Sequence, residues 1–359
     1  MKWGLKNGAL SLAVLLGGVN AACMNYRPPP KPLTAEASAG APTQVWSTRA
    51  GRRFTGNIAL LDGTLYGAGV DRKVYAVDLT SGEVQWSQRL SGLVAGGVLV
   101  SGDTVFAASS RPDGRVYALD RTTGERFWRE KTGAVGAPLA LSGDVLVVPT
   151  QRGDILGMGA GNGQIRWKRR LGTSRIAPFE VGEGAVVVAT VDSVFRLEAS
   201  DGVVTHRTQS PGTILSHWVR MRGSLIAGTT DSQVVALDPA TLALTWSVKV
   251  DAPVLDAPAA KGDTLFVVTR RGTLYRISPA VPRRAEPVVE LDWPVTTPVT
   301  IVDGLILLGG ADGLLRALTS DGEEVWRVQL WRPVELSPVA LDDGIIAIGG
   351  AGDLHRYRP

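Results

Sequence analysis

Three histidines, one cysteine and 34 carboxylates are the groups in this chain that could serve as nucleophile, base or metal ligand. Their spacing furnishes little catalysis. His206, His217 and His355 show no His-x-x-x-His interval, the spacing that turns two imidazoles toward one zinc ion, and no Ser-His-Asp arrangement can be read among them. Asp71, Asp113, Asp192, Asp231 and Asp312 recur at corresponding places along the chain. A calcium ion needs about six to eight oxygens converging on one point, whereas carboxylates spaced like this act first as turn formers. Gly157-Met-Gly159 is a chance Gly-x-Gly within a strand-like stretch, not before a helix. Cys23 has no disulfide partner, which leaves it as a single sulfur open to modification. The recognition chemistry is aromatic instead. Apart from Trp3 near the N-terminus, three of the ten tryptophans, Trp218, Trp293 and Trp331, fall outside the regular spacing of the others, with His217 and Arg332 beside two of them. Tryptophan beside arginine is the composition of interface anchors, because it buries a large area at modest entropic cost. His217, Trp218, Trp293, Trp331 and Arg332 are therefore the candidate partner-binding residues.

What must position these groups is a repeat. Pro138, Pro178, Pro258, Pro298 and Pro338 stand at multiples of 40 from one another, each after a small residue: Ala137, Ala177, Ala257, Thr297 and Ser337. A period of about 40 residues marks a repeat architecture. Each copy reads as four short strands. Asp62-Gly63, Gly102-Asp103, Gly143-Asp144, Gly262-Asp263, Asp303-Gly304 and Asp343-Gly344 are two-residue hairpin turns, since these residues tolerate positive φ. The second strand is an apolar run such as Leu265-Phe-Val-Val268, as expected where both faces are covered. The third is typified by Val116-Tyr-Ala-Leu-Asp120, whose Asp can bond amides of the next turn. The fourth carries a tryptophan, at Trp46, Trp86, Trp128, Trp167, Trp246 and Trp326, with His206 and Glu286 in that place in two copies. His206 is read as a blade-stacking residue in place of the indole. The turns count eight copies, and strands without helical periodicity between them predict an all-β, eight-bladed β-propeller of four-stranded antiparallel blades. The last copy ends after its third strand, and an orphan fourth strand stands at Gln44-Val-Trp-Ser-Thr48. Joining the two closes the ring with the N-terminal strand and leaves no open edge.

The N-terminus reads separately. Lys2 and Lys6 precede an apolar run over 9–19 that ends in Ala21-Ala-Cys23. This is a secretory leader, too short to span a bilayer. The domains expected are a signal peptide at 1–22, a Pro/Ala-rich tether at 23–43 and the propeller at 44–359. In extended polyproline form the tether reaches roughly 60 Å. The formal charge of +4 includes Lys2 and Lys6, so +2 remains without the leader. So small an excess suggests neither a nucleic-acid partner nor an anionic membrane surface.

The motif Gly-x-Val-Tyr-Ala-Leu-Asp-x-x-Thr-Gly-x-x-x-Trp at 114–128 resembles the repeat shared by quinoprotein dehydrogenases and their non-enzymatic relatives. The leader ending at Cys23 resembles that of bacterial lipoproteins, which implies lipid attachment at Cys23. Eight blades and nothing else, such a leader, and a final copy ending in Gly352-Asp-Leu-His-Arg-Tyr357 together resemble the BamB family, lipoproteins of the outer-membrane β-barrel assembly machine. The resemblance implies a non-catalytic scaffold without a cofactor, anchored to the outer membrane on its periplasmic side. Its implied partners are the periplasmic domains of a barrel-inserting protein and unfolded outer-membrane proteins. The family's partner-contacting loop falls near 171–178, from which no contact residue is carried over. The other class is an exported quinoprotein-like enzyme or ligand sensor. Those enzymes carry vicinal cysteines and acidic calcium ligands near the channel, and this chain has one cysteine, at its leader.

Overall fold

The computed structural model describes residues 40–110, 114–173, 178–182, 184–279 and 284–359. The leader, Cys23, most of the tether, Asp113 and 174–177 of the 171–178 loop lie outside the described residues. Among the described residues, strands form eight antiparallel sheets of four. In blade 1 the strands are Ala59–Leu61, Thr64–Ala68, Lys73–Asp78 and Val84–Arg89, hydrogen-bonded in that order from the channel outward. Blade 8 is composite. Val339–Leu341, Gly344–Ile348 and Asp353–Arg358 are completed by Thr43–Arg49, so the ring closes as expected, with the closing strand starting one residue before the expected boundary.

Local chemistry makes each blade. Asp62-Gly63, Arg222-Gly223 and Asp303-Gly304 have positive φ at both central residues, as a type I′ turn requires. Gly102, Gly143 and Gly262 have it at the first central residue, the type II′ requirement. Second strands such as Val145–Pro149 and Ala185–Ala189 are buried throughout, because blades cover both of their faces. At the end of the third strand the Asp78 carboxylate accepts from the amides of Thr80 and Ser81 at 2.8 and 2.7 Å. Asp120 does the same with Thr122 and Thr123, and Asp238 with Ala240 and Thr241. Donation from these amides holds all three carboxyls below the usual aspartate value.

The tryptophans lock one blade to the next. Trp86 lies opposite Ala76 in its own sheet, and its indole N–H donates to the Arg121 carbonyl of blade 2 at 2.9 Å. Its ring rests on Gly124, where a Cβ would come within 2.5 Å of Trp86 Cε3 and where φ is +74°. Trp46, Trp128 and Trp167 repeat the contact, donating to Leu79, Ala160 and Ala199 at 3.0, 2.9 and 2.7 Å.

The two exceptions resolve by packing. His206 is exposed, so it does not stack between blades as expected. The reason is on the neighbouring blade, where Leu242 replaces the glycine, takes φ +59° and is 0% exposed. Leu242 stands where blades 1 to 4 have the glycine on which the indole rests, and it belongs with Trp218, Val187 and Leu225 to one cluster between blades 4 and 5. Glu286 faces Arg276 across the strand pair and is ion-paired with it at 3.2 Å. In both blades an arginine, Arg196 or Arg276, stands in the position opposite, where blade 1 has Ala76; blade 8 keeps its indole with an arginine there too, Arg356 opposite Trp46.

Candidate functional site

The turns between second and third strands and the connections entering each blade share one face. Gly350 N–H donates to Pro333 O at 2.9 Å, Ala311 to Pro294 at 3.0 Å, Arg270 to Pro253 at 2.9 Å and Val70 to Arg53 at 2.9 Å. Each pair ties a turn to the connection leading into its own blade. All five candidate partner-binding residues lie in such connections, but the structure separates them by depth.

Trp218 is 5% exposed and belongs to the core described above, so it offers nothing to a partner. His217 points the other way, into a channel cavity of about 580 Å³ that it lines with Asn57, Leu255, Asp256 and Glu335. Burial pushes its imidazole below the ordinary value and keeps it neutral at physiological pH. Trp293 is half-covered. The Arg316 guanidinium lies 4.2 Å from its ring centroid, and Arg316 is held by Asp312 through contacts of 2.5 and 3.2 Å. Arg316 is itself buried, so the indole face and the carboxylate replace the water it has lost. Trp293 also lines a cleft of about 470 Å³ between blades 6 and 7, with Arg270, Arg271 and Asp292.

Trp331 is the exposed member, at 53%. Its backbone is left-handed, φ +65°, and the corresponding positions in the connections after blades 2 and 3 are Gly133 and Gly172, also at positive φ. A bulky residue held there costs about 1–2 kcal/mol of local strain, which positions an indole in solvent. Arg332 follows, 3.7 Å from Asp353. Trp331, Arg332, Ser47, Thr48, Arg49, Leu330, Asp353 and His355 surround a cleft of about 270 Å³ across the closing strand. His355 is pushed below the usual imidazole value by burial, an effect partly offset by Asp353.

Asp256 is a residue the spacing did not single out. It lines both the channel and the cleft beside Trp293, and the protein enclosing it there raises its carboxyl above the usual value, with Arg270 opposing, although the side chain keeps an exposed surface in the channel. Its signal is positional. It stands two residues before Pro258, where the preceding connection has Ser216, whose hydroxyl accepts from the Gly228 amide at 2.7 Å. Of the expected turn formers, Asp312 accepts from Leu314 N–H at 3.1 Å, Asp192 from Thr190 Oγ1 at 3.1 Å, and Asp71 from the Tyr75 hydroxyl.

The family described as Outer membrane protein assembly factor BamB matches residues 36–129, 112–227 and 216–285, stretches that overlap into one run. No curated protein sequence matches the chain. Among solved structures, BamB from Moraxella catarrhalis superposes with a TM-score of 0.75 at 17% identity, covering 89% of this chain and 100% of that one. The computationally designed Ika8 protein gives 0.72 at 15% identity, covering 88% and 98%. Quinohemoprotein alcohol dehydrogenase ADHIIG from Pseudomonas putida gives 0.68 at 14% identity, covering 91% and 78%. At such identities the structural likenesses speak for the fold alone.

A centre of quinone and calcium, expected for an enzyme of the second class, finds little support in the channel. The channel's carboxylates are Asp256, which faces Arg270, and Glu335, which is ion-paired with Arg53 at 2.5 Å. Among the described residues no group of three His, Cys, Asp or Glu side chains could hold a metal ion. A hard cation that wants about six to eight oxygens is not matched by this donor set.

Proposed function

We propose that this chain, which belongs to the family of outer membrane protein assembly factor BamB, is a non-catalytic scaffold lipoprotein of the cell envelope. It binds partner proteins during assembly and insertion of outer-membrane β-barrels. In this reading Cys23 carries the lipid, the 23–43 segment is the tether, and the ring works at the periplasmic face of the outer membrane. The periplasmic domains of a barrel-inserting protein are its partner, with unfolded barrel proteins as cargo.

The observation that carries the reading is Trp331. An indole held in solvent by strained backbone beside Arg332 serves contact better than it serves the ring. Trp293 and His217 stand behind it on the same face. Detergent solubilisation of membranes and co-purification on the tagged full chain tests this. Recovery of a barrel-inserting subunit is expected, and recovery of none refutes it. Cys23→Ser is expected to move the protein from the membrane fraction to the soluble one.

The channel cavity that His217 and Asp256 line leaves room for one second reading, an exported quinoprotein-like enzyme or ligand sensor working from the channel. Quinone absorbance with calcium-dependent dye reduction by the purified chain would displace the scaffold.

A further inference from the structure

The net charge of the chain is small, yet its arginines are not evenly placed. Arg332, Arg49, Arg52, Arg53 and Arg72 are all exposed and lie along the loop face over blade 8 and blade 1. Their contiguity rests on the turn at 349–353. From one side the turn meets Pro333, which accepts from Gly350 N–H at 2.9 Å. From the other it meets Arg52, whose carbonyl oxygen would be 2.7 Å from a Cβ on Gly352. Ion pairs stitch the three segments together: Arg332 and Arg49 reach Asp353 at 3.7 and 3.8 Å, and Arg53 reaches Glu335 at 2.5 Å. The Arg53 carbonyl accepts from Val70, which extends the surface to the turn holding Arg72.

Five guanidiniums thus have two carboxylates paired with them, Glu335 and Asp353, and the carboxylate of the turn holding Arg72, Asp71, is engaged by the Tyr75 hydroxyl. The surface is left cationic. The pairs that are made hold Arg49, Arg53 and Arg332 against their carboxylates, while Arg52 and Arg72 stand exposed with the planar fork that suits bidentate recognition of carboxylates. At its outer end lie Trp331 and the cleft of about 270 Å³.

We propose that this surface docks an acidic segment of a partner protein, whose carboxylates meet Arg52, Arg53 and Arg72 while an apolar side chain enters the cleft beside Trp331. The proposal deepens the scaffold reading and rests on it. Charge complementarity names the occupant. Interleaved carboxylates and a single aromatic cleft suit a directional peptide better than an anionic bilayer, which responds to accumulated charge without regard to its direction.

Fluorescence anisotropy with the detergent-solubilised full chain tests it. The probe is a short fluorescein-labelled peptide of glutamates around a Leu-Phe pair, compared with its glutamine counterpart. Wild type is expected to prefer the glutamate peptide by about tenfold or more, with affinity falling as salt rises. Arg52→Glu with Arg72→Glu, neither of which breaks an ion pair named above, is expected to abolish that preference. Trp331→Gly keeps the left-handed backbone and is expected to weaken binding about tenfold, the loss typical of an aromatic anchor. Arg126→Glu, on the fourth strand of blade 2, is expected to change nothing. Equal binding of the two peptides, unchanged binding by the Arg52/Arg72 double variant, or binding of phosphatidylglycerol vesicles in place of peptide overturns the proposal. In the membrane co-purification, equal recovery of a barrel-inserting subunit by wild type and the double variant removes this surface and leaves the scaffold. Recovery of none by wild type, with the peptide results intact, removes the scaffold reading and not the surface.

Discussion

Gly124→Ala is the sharpest test of how the blades are joined. Gly124 and Gly63 have almost the same backbone, φ +74° and +72°, so alanine carries the same intrinsic strain at either, about 1 kcal/mol. Their surroundings differ. A Cβ at Gly63 meets nothing within 4 Å, whereas one at Gly124 meets Trp86 Cε3 at 2.5 Å and Cδ2 at 2.7 Å. Both of those atoms belong to a rigid ring whose N–H is committed to Arg121. The indole must therefore withdraw, which adds about 1–3 kcal/mol of overpacking and up to about 1 kcal/mol for the weakened hydrogen bond. Gly124→Ala is expected to cost about 2–5 kcal/mol in all, and Gly63→Ala about 1 kcal/mol. Urea titrations followed by tryptophan fluorescence measure both, and the difference isolates the lock from backbone strain. Equal losses at the two sites would refute the account of the blade contact.

Other consequences can be checked together. Leu242→Gly should destabilise by emptying the cluster between blades 4 and 5, and adding His206→Trp should recover part of the loss, with a coupling of at least about 1 kcal/mol in the double-mutant cycle. His217 and His355 are both lowered by burial, so the unfolded chain binds protons that the folded one refuses. Stability should then fall as pH drops through the unfolded value of 6.5, and His217→Gln should flatten that fall in urea midpoints taken across the range. Asp256 works in the opposite sense. Its carboxyl is raised but stays open to solvent in the channel, so the effect is screened: Asp256→Asn should leave the urea midpoint at neutral pH unchanged or slightly higher, and a clear loss of stability there would contradict the assignment. Trp293→Ala should destabilise by uncovering Arg316, read as a lower urea midpoint that Trp293→Phe largely restores.

The fold was legible because its signals are local. Turn chemistry at Asp62-Gly63 and its counterparts, apolar second strands and the Trp–Gly spacing each act within one repeat, and the missing fourth strand of the last copy announced the closure. The site was legible only in part. Trp331 and Arg332 stood out because they break the spacing, and they are exposed. Trp218 broke it as well, for a packing reason invisible without Leu242, which a sequence reading would not put at positive φ. His206 was misread for the same cause. The cationic surface could not be seen at all, since Arg52 and Arg332 are neighbours only after the ring has closed.

Closure also fixes an order of events. Gln44 meets His355 across 311 positions, and closing an unstructured loop of that length costs about 5 kcal/mol of chain entropy. Blades 1 to 7, by contrast, each pair within their own repeat, so they are expected to form and stack first and thereby bring the two ends together. The segment that leads the ring in sequence is thus the last to be used. Until it arrives, Asp353–Arg358 offers an unsatisfied edge, and the strand that fits this edge best is Thr43–Arg49 of any copy of the chain. Exchange of that strand between molecules is the misassembly to which this architecture is most exposed, and a concentration-dependent dimer during refolding would be its mark.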